Sequence, residues 1–256
     1  MDPITVALIT FTCAFGGALL GIYCRRRLPD AHLNAESKEI VKLSVGLIAT
    51  MTALVLGLVV ASAKSSFDAT DAAVKNNAAI TLSVDRYLGR YGPETKDIRE
   101  LLLRGATYRV NSIWPEESNK NVPHAKLDDP EMTRVFEDFE DRISRLAPRD
   151  DSQRALKERA LTAMNEMFRS RWLVLAGSGP AIPVPFLVAL IFWLTVIFGA
   201  FGLMAPRNAT VITILLVSAL SVAISIFLVL EMEHPFDGYI KVSSAPLRFM
   251  LSHLGQ

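Results

Sequence analysis

The chain has 256 residues, of which 51% are hydrophobic and 21% are charged, whereas an average soluble domain carries about 25% charged residues. Lys and Arg number 27 against 26 Asp and Glu, which leaves a net charge of +1 and argues against a nucleic-acid binder, because such proteins present a strongly basic face. The mean hydropathy is +0.31, and the apolar residues concentrate in long runs without a charge, which excludes a soluble globular enzyme.

Four charge-free runs carry most of the apolar residues, and each reaches the length of about 20 residues that a transmembrane helix needs. The first run begins directly after Met1 and Asp2, and its basic residues follow it instead of preceding it. A cleaved signal peptide has the opposite arrangement, so we interpret this run as an uncleaved first span. The four predicted spans cover residues 3–24, 43–63, 181–205 and 209–230.

The polar stretch between the second and third spans predicts a helical extramembrane domain. It holds 19 basic and 19 acidic residues, and neither Pro nor Gly interrupts residues 64–88. We therefore expect the second span to continue as one long helix to about residue 91, where Gly92-Pro93 ends it. An apolar seam on this extension predicts a surface in need of a partner: Phe67, Val74, Val84, Leu88 and Tyr91.

Beyond Pro93, apolar residues at helical spacing predict three more helices, with a polar loop over 115–130 and a break at Pro148. The chain is then an all-α membrane protein with four transmembrane helices in two hairpins and an inserted helical domain. Its predicted segments are a first hairpin over 1–63, the helical domain over 64–180, a second hairpin over 181–230 and a tail over 231–256 that packs on the protein.

Three of the spans carry rows of small or hydroxyl side chains. Small residues let helices approach closely in a bilayer, so helix packing is one interpretation of these rows and the lining of a polar pathway is the other. The rows are Gly17 and Gly21 in the first span, Gly46, Thr50, Ala53, Gly57 and Ala61 in the second, and Ser218, Ser221 and Ser225 in the fourth.

The predicted spans contain no Asp, Glu, Lys, Arg or His. Pumps and proton-coupled transporters generally need an ionisable relay at membrane depth, so we disfavour them, whereas a channel can select at its mouths. If the small face of the second span surrounds an axis, Lys42 and Lys64 at its two ends would favour anions. The candidate pore-lining residues are Thr50, Ala53, Gly57, Ala61, Lys42 and Lys64. If the other side of the helix faces the axis instead, it forms an apolar constriction of Leu47, Met51, Leu54 and Leu58.

The sequence shows none of the motifs that an enzyme or a metal site would need. We find no nucleophile elbow, phosphate loop, CxxC or HExxH pattern, and the four His are scattered among loops and the tail. We therefore predict no catalytic residue, no metal and no cofactor.

The tail carries the most specific motif of the chain. Residues 231–238 read Glu-Met-Glu-His-Pro-Phe-Asp-Gly, and Val-Ser-Ser and Pro-Leu follow at 242–244 and 246–247. This pattern resembles the C-terminal signature of the bacterial bestrophin-like membrane family, and the motif residues here are Glu231, Glu233, Pro235, Phe236 and Gly238. The segments 53–58, 66–68 and 201–208 resemble the family in the same order, so the resemblance covers most of the chain from about residue 40. The family pattern would have Asp at 231 and 233 and an acidic residue near 77, where this chain has Glu, Glu and Asn.

The resemblance implies kinship with bestrophins, which are oligomeric anion channels whose second span lines a central pore. It implies a multi-pass protein of the cell inner membrane whose partners are further copies of itself, the lipid bilayer and inorganic ions. A non-conducting membrane sensor or scaffold, whose helical domain binds a partner, is the alternative.

The orientation in the membrane stays open at this stage. The loop 25–42 holds five basic residues and Arg207 adds a sixth on that side, and the positive-inside rule would place this side in the cytoplasm. Six basic residues lie near the span ends on the side of the helical domain as well, and bestrophins have that domain in the cytoplasm.

Overall fold

The computed structural model describes residues 2–29, 35–117, 130–176, 182–206 and 208–256. Within these ranges the chain forms helices and short turns, with no strand. The helices are α1 (Pro3–Cys24), α2 (Ala35–Tyr91), α3 (Lys96–Ile113), α4 (Pro130–Ser144), α5 (Asp151–Ala176), α6 (Val184–Met204), α7 (Ala209–Glu231) and α8 (Ala245–His253).

Four of these helices are long and apolar enough to cross a membrane, namely α1, α2, α6 and α7. The prediction of an all-α membrane protein with four spans is therefore confirmed. Most of the predicted polar loop over 115–130, part of the first interhelical loop, the break at 177–180 and the turn residue Arg207 lie outside the described residues.

The chain divides into two compact units, and the first contains the spans. It comprises residues 1–67 and 180–240, so it holds α1, α6, α7 and the part of α2 before residue 68. The side chains of Asp2 and Asn208 accept backbone N–H bonds from Thr5 and Val211, each at 2.9 Å, which caps α1 and α7 at their starts. Two apolar clusters fill this unit: Val6, Ala63, Ile182, Leu187, Leu194, Ile226, Val229 and Leu230 form one, and Ala14, Ala18, Phe198, Leu215 and Ala219 the other.

Helices α1 and α6 approach each other closely because glycine faces backbone at their contact. A Cβ atom added at Gly21 would lie 2.7 Å from the backbone nitrogen of Leu203 and nearer still to the carbonyl oxygen of Gly199. A Cβ at Gly202 would lie 2.8 Å from the carbonyl carbon of Ala18. The glycine pair of the first span therefore serves helix packing. Beside this contact, the Arg25 guanidinium donates to the carbonyl oxygens of Met204 and Ala205, where α6 ends.

The second unit comprises residues 68–179 and 241–256 and is the helical domain. Its largest fully buried side chains include Val84, Leu88, Val110, Ile143, Met164 and Met250. The seam on the α2 extension was expected to be exposed, and this prediction was wrong for its second half. Val84, Leu88 and Tyr91 are at most 4% exposed, because the helical domain itself supplies the surface that covers them.

Helix α2 ends where the sequence indicated. Gly92 follows Tyr91 with a φ of 143°, a backbone conformation that side-chain-bearing residues rarely adopt. Thr95 then closes the turn, since its buried hydroxyl donates to the carbonyl of Leu88 at 2.6 Å and to that of Gly92 at 2.9 Å. The Gln153 side chain donates to the Tyr91 carbonyl at 2.8 Å, which ties this corner to α5.

Candidate pore-lining surface and tail motif

The second span is the least buried of the four within the protomer. In its most apolar stretch of 18 residues only 11% of the residues are buried, whereas the corresponding share is 33% in α1, 33% in α6 and 22% in α7. One narrow side of the span packs inside the unit, with Val45, Thr52 and Ala63 buried at spacings of seven and eleven residues. Most of the circumference of this span is therefore not covered by the other helices of the unit.

All six candidate pore-lining residues lie on the exposed part of α2. Thr50, Ala53, Gly57 and Ala61 are exposed, as are Lys42 and Lys64 at the two ends of the row. A Cβ atom added at Gly46 or Gly57 would meet no atom within 4 Å. The small size of these two glycines is therefore not required by any packing inside the described protomer, in contrast to the glycines of the α1–α6 contact.

A row of large apolar side chains lies beside the small one on the same exposed surface. Leu47, Leu54 and Leu58 are each more than 60% exposed, and Met51 is 49% exposed. Thr50, in the small row, donates its hydroxyl to the carbonyl of Gly46 at 2.8 Å, so its hydrogen bond is made within its own helix. The structure thus presents two adjacent faces, one small and one large, that are both open for contact with lipid, water or another copy.

The hydroxyl row of the fourth span is also exposed. Ser221 donates to the carbonyl of Val217 at 2.8 Å, and Ser225 donates to that of Ser221 at 2.9 Å. Such bonds to the preceding turn satisfy a hydroxyl without a partner helix. Ser218 is exposed as well, so this row does not line a path inside the protomer.

The tail motif builds the turn that follows α7. Glu231 is 3% exposed, and its carboxylate accepts the backbone N–H of Tyr239. Gly238 makes room for this carboxylate, because a Cβ there would lie 3.0 Å from the carbonyl of His234 and nearer still to the Glu231 side chain. Glu233 accepts the backbone N–H of Ile182 at 2.7 Å, so it holds the chain just before α6.

Pro235 and Phe236 occupy the same turn and are half-buried. The two acidic side chains of the motif therefore bind backbone N–H groups of this unit. In the described part of the chain, no group of three or more His, Cys, Asp or Glu side chains is placed to hold a metal ion.

The remainder of the tail belongs to the helical domain. Val242 and Leu247 are each 2% exposed, and the Trp114 indole donates to the Val242 carbonyl at 3.1 Å. The tail that the sequence presents as one segment from residue 231 is thus divided between the two units, at residue 240.

The sequence did not indicate a buried ion pair that organises the helical domain. Arg99 of α3 binds the two carboxylate oxygens of Asp85 at 2.7 and 2.9 Å, and Asp85 is 2% exposed. Hydrogen bonding to this carboxylate raises the pKa of Arg99 above its usual value. The Gly255 N–H also donates to Asp85 at 3.1 Å, so the end of the described tail is held by the same pair. The available signal was an acid between Val84 and Leu88, two apolar residues of one helix face, since a buried carboxylate needs a partner.

Comparisons with known proteins agree with this architecture. The family model of the Bestrophin-like domain matches residues 12–247. A crystal structure of a bacterial bestrophin homolog from Klebsiella pneumoniae, determined on a point mutant, is similar with a TM-score of 0.62 at 13% identity. The match covers 96% of this chain and 97% of that one, and at this identity it shows a common fold. No curated protein matches the chain. Since the family model spans most of its length, the chain belongs to the bestrophin-like family of membrane proteins.

Proposed function

We propose that this protein is a homo-oligomeric ion channel of the cell inner membrane, with four spans per subunit and with α2 lining an axial path for inorganic anions. The observation that carries the proposal is the exposed, small-residue face of α2 at membrane depth. Two of its glycines have open space around them in the protomer, and small residues on a span allow equivalent helices to approach. Family membership supports the same interpretation, because bestrophins form oligomeric anion channels.

The two exposed rows of α2 have different roles in the proposed channel. One row faces the axis, and the neighbouring row contacts the next copy. We assign the small row to the path, which leaves a lumen bounded by Thr50, Ala53, Gly57 and Ala61 with no charge to hold an ion. Selectivity then has to arise at the mouths, where Lys42 and Lys64 are exposed.

The charge pattern of the spans supports a channel over a pump. The described spans hold no Asp, Glu, Lys, Arg or His between Pro3 and Cys24, between Leu43 and Ala63 or between Ala209 and Leu230. A passive path does not need a relay at membrane depth, whereas proton-coupled transport does.

Purified full-length protein in liposomes tests this proposal. We expect chloride flux, an oligomer by light scattering in detergent, and loss of flux or of the oligomer in Gly57→Leu. Gly16→Leu is the matched control, because Gly16 on α1 also has no atom within 4 Å of an added Cβ. A monomeric protein without flux would overturn the channel and favour a sensor or scaffold. An unchanged Gly57→Leu protein would show that α2 is not at the axis.

A further inference from the structure

The extension of α2 in the helical domain has two contrasting sides. The buried side follows a heptad-like spacing and packs into the domain core through Asn77, Thr81, Val84, Leu88 and Tyr91. The side that faces away follows the same alternation of three and four residues. It includes the row Ala72, Asn76, Ala79, Ser83, Arg86 and Arg90.

This row is uncharged until its last two members, and the exposed side carries Asp68 and Lys75 beside it. Ser83 is half-buried and the other five residues are exposed. A helix face directed only at bulk water generally carries charged residues of both signs, and this row has no carboxylate at all. It ends in two arginines one turn apart.

Within the described residues, several other arginines of this domain form an ion pair with a carboxylate three or four residues earlier in the sequence, and Arg86 and Arg90 do not. Arg104, for example, has a carboxylate four residues before it and binds Glu100 at 2.7 Å. Similar pairs join Arg142 with Asp138, Arg145 with Asp141 and Arg154 with Asp151. Such pairs stabilise helices, whereas like charges at this spacing destabilise them by similar amounts.

Arg86 and Arg90 are arranged in the unfavourable way. Leu82 stands four residues before Arg86, and Arg86 itself stands four residues before Arg90. In the described part of the chain, neither guanidinium forms an ion pair with a carboxylate. Two unneutralised cations on an exposed helix face produce a local positive potential that concentrates anions.

We infer that Arg86 and Arg90 are specificity-determining residues of the pathway, and that they attract small inorganic anions to its extramembrane mouth. The inference rests on the proposed channel, since an oligomer built around α2 repeats both arginines once per copy. Rings of basic side chains are an established way to favour anions in a pore. The small residues that precede them on the row leave space for hydrated ions.

The test is the ratio of chloride to potassium permeability, measured from reversal potentials with the full-length protein in planar bilayers. We expect the double variant Arg86→Gln/Arg90→Gln to lower this ratio by at least about fivefold at low salt, because a single unit charge at about 4 Å already changes the local concentration of one ion by that factor in water. The effect should be present at about 0.01 M salt and largely lost at about 1 M, because the Debye length falls from about 30 Å to about 3 Å.

Two variants control for structure. Arg159→Gln removes an exposed arginine of α5 that also has no carboxylate partner in the described structure, and it should leave the ratio unchanged. Arg86→Lys/Arg90→Lys keeps both charges on the same helix positions and should retain most of the wild-type ratio.

The outcomes separate this inference from the proposed function. Conduction with an unchanged ratio in the double Gln variant would overturn the role of the arginines and leave the channel standing. An equal fall in Arg159→Gln would also overturn it, since the effect would then come from overall charge. A wild-type protein that forms no conducting path would overturn the proposed function, and the inference with it.

Discussion

The close contact between α1 and α6 predicts a large effect of a single methyl group. In Gly21→Ala, the new Cβ would lie 2.7 Å from the Leu203 nitrogen, whereas ordinary contact begins at 3.4 Å. The difference, 3.4 minus 2.7, means that α1 and α6 must separate by at least about 0.7 Å, because the obstructing atoms are backbone. A gap of about 0.5–1 Å forfeits a quarter to a half of the dispersion energy of the contacts involved.

We therefore expect Gly21→Ala to lower the free energy of unfolding by about 3 kcal/mol, the upper end for overpacking by a methylene group. Gly16→Ala on the same helix is the matched control, since its Cβ would meet no atom within 4 Å and alanine is the better helix former, so stability should not fall. Gly17→Ala should fall between them, with a Cβ 2.8 Å from the Thr195 carbonyl oxygen. The assay is unfolding of the purified protein in mixed detergent micelles. Equal stability of Gly21→Ala and Gly16→Ala would refute the reasoning.

Three further substitutions test the helical domain. Tyr91→Phe should raise stability by about 1 kcal/mol, because the buried Tyr91 hydroxyl has no hydrogen-bond partner in the described structure. Burial also raises the pKa of Tyr91, because the folded state disfavours the charged phenolate. The free energy of unfolding should therefore fall in the wild type as the pH rises above 10.0, and thermal melts of the variant should not show this fall. Gly105→Ala should stabilise α3 by about 1 kcal/mol in thermal melts, since its Cβ would lie 3.5 Å from Val135, an ordinary contact; a fall in melting temperature would contradict this. Asp85→Ala should cost about 3 kcal/mol in denaturant titration, because it strands the Arg99 guanidinium, and Arg99→Met/Asp85→Ala should recover part of that loss.

The architecture was predictable because a membrane imposes simple rules on a sequence. A span must be about 20 residues long and nearly free of charge, and four runs of this chain meet both conditions. The continuation of α2 beyond the span followed from the absence of Pro and Gly between residues 64 and 88, whereas its start at Ala35, inside the stretch expected to join the first two spans, was not predicted. Its end followed from the glycine at 92, whose φ of 143° excludes a continued helix.

The hydrophobic periodicity of the sequence could not predict which distant residues contact each other. Periodicity showed that Val84 and Leu88 share a face, but it carried no information about which element covers that face. Asp85 and Arg99 are 14 residues apart, and Asp85 and Gly255 are 170 apart, so their meeting depends on how helices pack. The seam was consequently expected to need another copy of the chain, whereas the domain of the same copy covers its second half.

The candidate pore surface shows a related limit, because one sequence pattern serves two purposes in this chain. Gly21 and Gly46 both stand in rows of small residues at helical spacing, and the sequence gives no reason to treat them differently. The structure does, since backbone faces an added Cβ at Gly21 while nothing lies within 4 Å of one at Gly46 or Gly57. A glycine inside a helix costs about 1 kcal/mol relative to alanine, and on α1 that cost is offset by the close contact with α6. On α2 no contact within the described protomer offsets it, which agrees with the proposed packing of α2 against a neighbouring copy.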